Sequence, residues 1–216
     1  MTASSLKKDK TAFIINAITA VLEIAGLAVA ISRYGLGIMG YYTQESNLVL
    51  LVACIVYLVY AGRRLKDPSY ELPYLVALFK YIATCLVSVT FVVVVLVLIP
   101  MAWGSMGAAS IPALLFGGAN VFHHFLCPLL AMVTFFGFER DCRPHFKETV
   151  YAMLPTLMYA VVTVILNVAK VVRGPYPFLY VYEQPWFMSV RWFVLIVGGA
   201  WGYAAIGAVL TGKKSR

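Results

Sequence analysis

Residues 72–99 read LPYLVALFKYIATCLVSVTFVVVVLVLI, an apolar run in which Lys80 is the only charged residue. A hydrocarbon layer about 30 Å thick is crossed by a helix of roughly 20 such residues. This run is longer than that, so it is expected to cross with a tilt. Working outward, five more apolar runs flank it, at residues 11–31, 41–60, 114–138, 150–171 and 186–210. The first is preceded by Lys7, Lys8 and Lys10, as a secretory signal would be. It is long for a signal's apolar region and carries Glu23, so it is read as an uncleaved helix. The expectation is an all-α, polytopic membrane protein of six spans in one domain.

Composition agrees. Of 216 residues, 62% are hydrophobic and 12% charged, against about 25% charged in a soluble domain. The net charge of +8 does not mark a nucleic-acid binder, because the basic residues sit in clusters between the apolar runs. Lys7, Lys8 and Lys10, then Arg63, Arg64 and Lys66, then Arg140, Arg143 and Lys147, then Lys213, Lys214 and Arg216 fall on one side of the alternating layout. Arg33, Lys170, Arg173 and Arg191 fall on the other. The positive-inside rule then puts both termini in the cytoplasm and the chain in the cell membrane. Of the outer connections, residues 100–113 (PMAWGSMGAASIPA) are uncharged and suit a shallow re-entrant or interfacial stretch. Residues 173–186 (RGPYPFLYVYEQPW) carry the aromatics of a headgroup-level belt.

The four cysteines, Cys54, Cys85, Cys127 and Cys142, form no CxxC pair, and Cys142 with His145 is too small a set for a metal. A bis-histidine haem lacks a second ligand within the membrane, since the only histidine besides His123 and His124 is His145 in a loop. Neither metal nor cofactor is expected. Gly198 and Gly202 form a GxxxG pair, a weak signal for a homo-oligomer.

Polar residues within spans are site candidates because their burial in hydrocarbon is costly. Glu23 lies roughly 18 Å up the first span and Lys80 roughly 12 Å up the third, at 1.5 Å per residue. They suit a structural ion pair, a proton or ion path, or a lysine that holds a substrate carboxylate. In the fourth span, His123 shares a face with Asn120 and Cys127, and His124 points elsewhere. The second span opens on YYTQESNL, residues 41–48. There Thr43 or Ser46 suits a helix cap and Glu45 suits the positive helix end. A threonine hydroxyl beside a histidine nitrogen is also the minimum pair for acyl transfer, with Asn47 or Asn120 as a donor to the oxyanion.

Three stretches in register carry a resemblance: YYTQESNL, then NVFHHFLCP at residues 120–128, then YPFL at residues 176–179. With the six-span layout, they resemble the androgen-induced / androgen-dependent TFPI-regulating protein family and its bacterial relatives. Eukaryotic members of that family are transmembrane threonine hydrolases that cleave fatty acid esters of hydroxy fatty acids. The resemblance implies Thr43 as nucleophile and His123, five residues before Pro128, as base. His124 falls where members carry a hydroxyl residue, and Asn120 where others carry a second histidine. It further implies a lipid-like substrate drawn from the membrane. Arg33, Lys170, Arg173 and Arg191 are then candidates to meet a substrate carboxylate. The competing expectations are a small-solute or proton-coupled transporter that uses Glu23 and Lys80, and a non-enzymatic membrane scaffold.

Overall fold

Helix α3 (Tyr74–Val93) runs through the middle of the molecule. It is apolar on every side and buries residues as different as Val76, Lys80, Thr84, Val87 and Thr90, as a helix with no polar face must. In the computed structural model, which describes residues 3–139 and 144–211, α3 packs against α2 (Tyr42–Lys66), α6 (Cys127–Gly137), α7 (Thr149–Val168) and α8 (Trp186–Thr211). Helix α1 (Ala3–Tyr34) closes the bundle against α2 and α6. The described residues contain no strand. Five helical stretches are long and apolar enough to cross a membrane, and a shorter apolar one, Val121–Gly137, accompanies them. Large apolar side chains such as Val21, Leu75, Met158 and Val209 lie on the outside, so the chain is a helical membrane protein that faces hydrocarbon rather than water.

Helices lie over the expected apolar runs in the same order, with two local differences. Residues 100–113, expected as a re-entrant or interfacial connection, are mostly helical. The third span continues through a π segment (Val94–Leu98) into α4 (Ile99–Met106). Gly107, at φ 56°, then reverses the chain into α5 (Ser110–Phe116). The fourth span, in turn, is broken near its start. Gly117 is extended and Gly118 has φ 59°, a left-handed conformation that favours glycine. A second π segment (Val121–Leu126) then leads into α6.

Small residues allow the close crossings. Gly207 of α8 meets Tyr81 and Phe136, and the Tyr81 hydroxyl donates to the Ala204 carbonyl at 2.8 Å. A methyl group on Gly198 or Gly202 would meet nothing within 4 Å, so the GxxxG stripe lies on the outer face. Away from the α1–α2 turn, Arg64 and Asp9 form a buried ion pair at 3.0 Å. Arg140, Cys142, Arg143, Lys213, Lys214 and Arg216 lie outside the described residues.

Candidate functional site

The break before α6 builds the site. A helix that ends leaves its last carbonyls without intrahelical donors. At the end of α5 two side chains supply them. Asn120 Nδ2 donates to the Ala113 carbonyl at 3.1 Å, and His124 Nδ1 donates to the Leu114 carbonyl at 2.6 Å. A carbonyl only accepts, so the proton of a neutral His124 ring is on Nδ1 and the lone pair is on Nε2. That Nε2 is 3.3 Å from Thr43 Oγ1. Both residues are buried.

This corrects the expected pairing, because the histidine that reaches Thr43 is His124 and not His123. His123 turns to α1, where its Nε2 lies 3.5 Å from Glu23 Oε2. The π segment is the reason. Its wider turn, with i→i+5 bonding, gives successive side chains a different offset from the α-helical one used to place His123 on the Asn120–Cys127 face. The continuous helix begins only at Asn120, so His124 lies within its first turns.

Thr43 does not cap its helix. The N-cap of α2 is Tyr41, without a side-chain hydrogen bond, and Thr43 sits inside the first turn. Ser46 donates to the Thr43 carbonyl at 3.0 Å and pairs with Thr90 Oγ1 at 2.9 Å. Asn47 Nδ2 donates to two carbonyls, those of Thr43 at 2.7 Å and His123 at 3.3 Å. Both of its N–H groups are thereby engaged, and it ties α2 to the π segment rather than facing an oxyanion. Asn120 is likewise committed to Ala113.

One further group meets Thr43, from the aromatic stretch expected at headgroup level. Tyr176, in the loop between α7 and α8, places its hydroxyl 3.2 Å from Thr43 Oγ1 and accepts from the Thr43 N–H at 3.2 Å. Burial pushes its phenol up to about 12, so it stays protonated and its hydrogen is available to Thr43. Stacking on Phe178 with centroids 5.2 Å apart, and an edge contact with Tyr41 at 5.7 Å, hold the ring. The polar order is then Tyr176 Oη–H to Thr43 Oγ1–H to His124 Nε2, with His124 Nδ1–H to Leu114.

Thr43 and Tyr176 also line an apolar cleft between α2, α3, α7 and α8. Its cavity volume is about 50 Å³. The cleft is therefore a narrow slot. Apolar side chains such as Val89, Val94, Leu98, Phe178, Trp192 and Ile196 line it, together with the hydroxyl residues Tyr42, Thr43, Thr90, Thr156, Tyr159 and Tyr176. Tyr42 and Thr156 bond to each other at 2.7 Å.

The four cations proposed for a substrate carboxylate are absent from this lining. The Arg173 guanidinium meets both Glu183 oxygens, at 2.7 and 2.8 Å, which holds the Glu183 carboxyl below its usual range. Lys170, at φ 58°, lies over Tyr182, 5.2 Å from the ring centre. Arg191 is exposed on α8. Arg33 lies against Gly118 at the break, so close that a methyl group there would come within 2.7 Å of its Nη1. The expected Glu23–Lys80 pair is also replaced, since Lys80 Nζ stands 3.6 Å from Glu139 Oε1. No protein-family model, curated protein or solved structure matches this chain.

Proposed function

We propose that the chain is a membrane-embedded ester hydrolase with Thr43 as nucleophile and His124 as base. The observation that carries this reading is the Thr43–His124 contact at 3.3 Å, with the ring's tautomer set by Leu114, beside the apolar slot that Thr43 lines. In the first step, Thr43 Oγ1 bonds to the carbonyl carbon of an ester while its proton passes to His124 Nε2. The ester C–O bond breaks, and the leaving alcohol takes that proton. Water, activated by the same ring, then cleaves the acyl-threonine to acid and free hydroxyl. Tyr176 donates to Thr43 Oγ1 and so stabilises the charge that grows there.

The slot suits a single acyl chain from the bilayer, which supports a lipid ester as substrate. The resemblance to threonine hydrolases points to fatty acid esters of hydroxy fatty acids. The positive-inside distribution supports the cell membrane, both termini in the cytoplasm and a site toward the outer leaflet. A C-terminal fusion to a reporter that is active only in the cytoplasm tests that orientation.

A fluorophosphonate probe tests the chemistry. Thr43→Ala and His124→Ala are expected to abolish labelling, Thr43→Ser to retain it, and His123→Gln to retain it in folded protein. Full labelling of both the Thr43→Ala and His124→Ala variants would sink the reading.

A further inference from the structure

A second polar pair lies inside the bundle and takes no part in the Thr43 relay. Glu23 of α1 and His123 of the π segment are both wholly buried, and His123 Nε2 stands 3.5 Å from Glu23 Oε2. Gly26, nearly one turn further along α1, forms the seat of the ring, since a methyl group there would lie 2.4 Å from His123 Nε2. One face of α1 thus offers the same imidazole both a carboxylate and the notch that admits it. The contact is a close approach and not a well-directed hydrogen bond, and the Cys127 thiol also lies against the Glu23 carboxylate.

The charges around the pair do not neutralise Glu23 by contact. Among the described residues, Cys54 of α2, Lys80 of α3, His124 and Cys127 of α6 are the titratable groups that face the pair, with Glu139 beyond Cys54 and Lys80. Lys80 is in contact with Glu139 at 3.6 Å, and Glu139 also accepts from Asn16 Nδ2 at 2.8 Å. The thiols are wholly buried in Cys54 and Cys127, and a neutral thiol brings no charge. Among the described residues, the group that touches Glu23 and can carry a positive charge is His123, and it does so only with a proton bound. One carboxylate and one imidazole supply too few oxygens for a hard cation. They are the pair of side chains that trades a single proton.

We propose that Glu23 and His123 form an intramembrane proton-binding site that holds one exchangeable proton. With the proton on Glu23, the pair is a neutral acid beside a neutral ring. With it on His123, the pair is a carboxylate beside an imidazolium. Both states are electrically neutral, and transfer between them moves one proton between Glu23 Oε2 and His123 Nε2. Loss of the proton leaves a bare carboxylate in the interior, and a second proton leaves an unpaired imidazolium. Both are states that burial disfavours strongly. The site stands apart from the hydrolase reading and is tested without any measure of hydrolysis.

The test uses the full chain in lipid nanodiscs at neutral pH, with infrared spectroscopy for protonated carboxyls and ¹⁵N-histidine NMR for imidazolium. The expected result is one proton in the pair. It is seen either as a Glu23 carboxyl stretch that shifts in D₂O and disappears in Glu23→Gln, or as a His123 imidazolium that becomes neutral in Glu23→Gln. His123→Gln, which leaves Glu23 as the only carrier, is expected to show the protonated-carboxyl stretch. The proposal is overturned if the unaltered protein shows both signatures or neither. It is also overturned if the observed signature survives Glu23→Gln, or if His123→Gln leaves Glu23 ionised.

Discussion

Two neighbouring histidines divide the interior between them. His124 faces α2 and meets Thr43, and His123 faces α1 and meets Glu23. Their substitution should therefore separate cleanly, as the labelling experiment above tests. Tyr176 adds a third element to the relay. Its hydrogen bond to a developing alkoxide is of the charge-assisted kind, about 1.5–3 kcal/mol. Tyr176→Phe is expected to slow acylation by about 10- to 100-fold, since roughly 1.4 kcal/mol is tenfold in rate. Single-turnover probe labelling measures this. An unchanged rate would remove Tyr176 from the proposed chemistry. Thr43 itself was legible at this scale, as a hydroxyl at the start of an apolar span. The choice between His123 and His124 was not, because one residue of offset decides it and a π turn changes the offset.

The helix break is the element that makes the site. Without it the Ala113 and Leu114 carbonyls would be used within a continuous helix, and neither Asn120 nor His124 would have them as acceptors. Gly118→Ala places a Cβ at φ 59° and against the Arg33 guanidinium. The left-handed conformation alone costs about 1–2 kcal/mol for a residue with a Cβ. The variant is expected to unfold at lower temperature and to lose labelling along with His124's orientation. Retained labelling at unchanged stability would contradict that account. The loop with Tyr176 carries its own pH dependence. Glu183 has its carboxyl lowered by the hydrogen bond from Arg173, so the pair stabilises the loop above the ordinary carboxylate range. That contribution is lost as pH falls through the lowered value. Hydrogen-exchange protection in the loop, taken relative to the intrinsic rate at each pH, is expected to fall at acid pH in the native chain, and to be already reduced at neutral pH in Glu183→Gln. The glycine pair Gly117–Gly118 was visible in the sequence as a close-packing signal. That it ends a helix depends on Arg33 and α5 filling the space around it.

At the scale of the whole molecule, the bundle buries ions in separate places. Asp9 and Arg64 join α1 to α2, and Lys80 and Glu139 join α3 to the end of α6. Removal of one partner from a buried pair leaves a charge without its counter-ion, at about 3–5 kcal/mol. Arg64→Ala is expected to destabilise the bundle by about that amount, while the double variant Asp9→Asn, Arg64→Met recovers most of it. Unfolding in mild detergent checks both. The all-α membrane architecture and the order of spans followed from the sequence alone, because the length and apolarity of a span are properties of a single segment. Which polar side chains meet was decided only in the tertiary structure. Glu23 and Lys80 were expected to pair by depth along their helices, yet each found a different partner, because depth does not specify rotation. The same applies to Thr43, where composition could mark a hydroxyl near a membrane surface, but its meeting with His124 depends on a break, a π turn and the loop of Tyr176 from three separate parts of the chain. Apolar periodicity encodes what a helix must bury against. The angular setting of one polar group toward another is encoded in packing, and packing exists only once the bundle has closed.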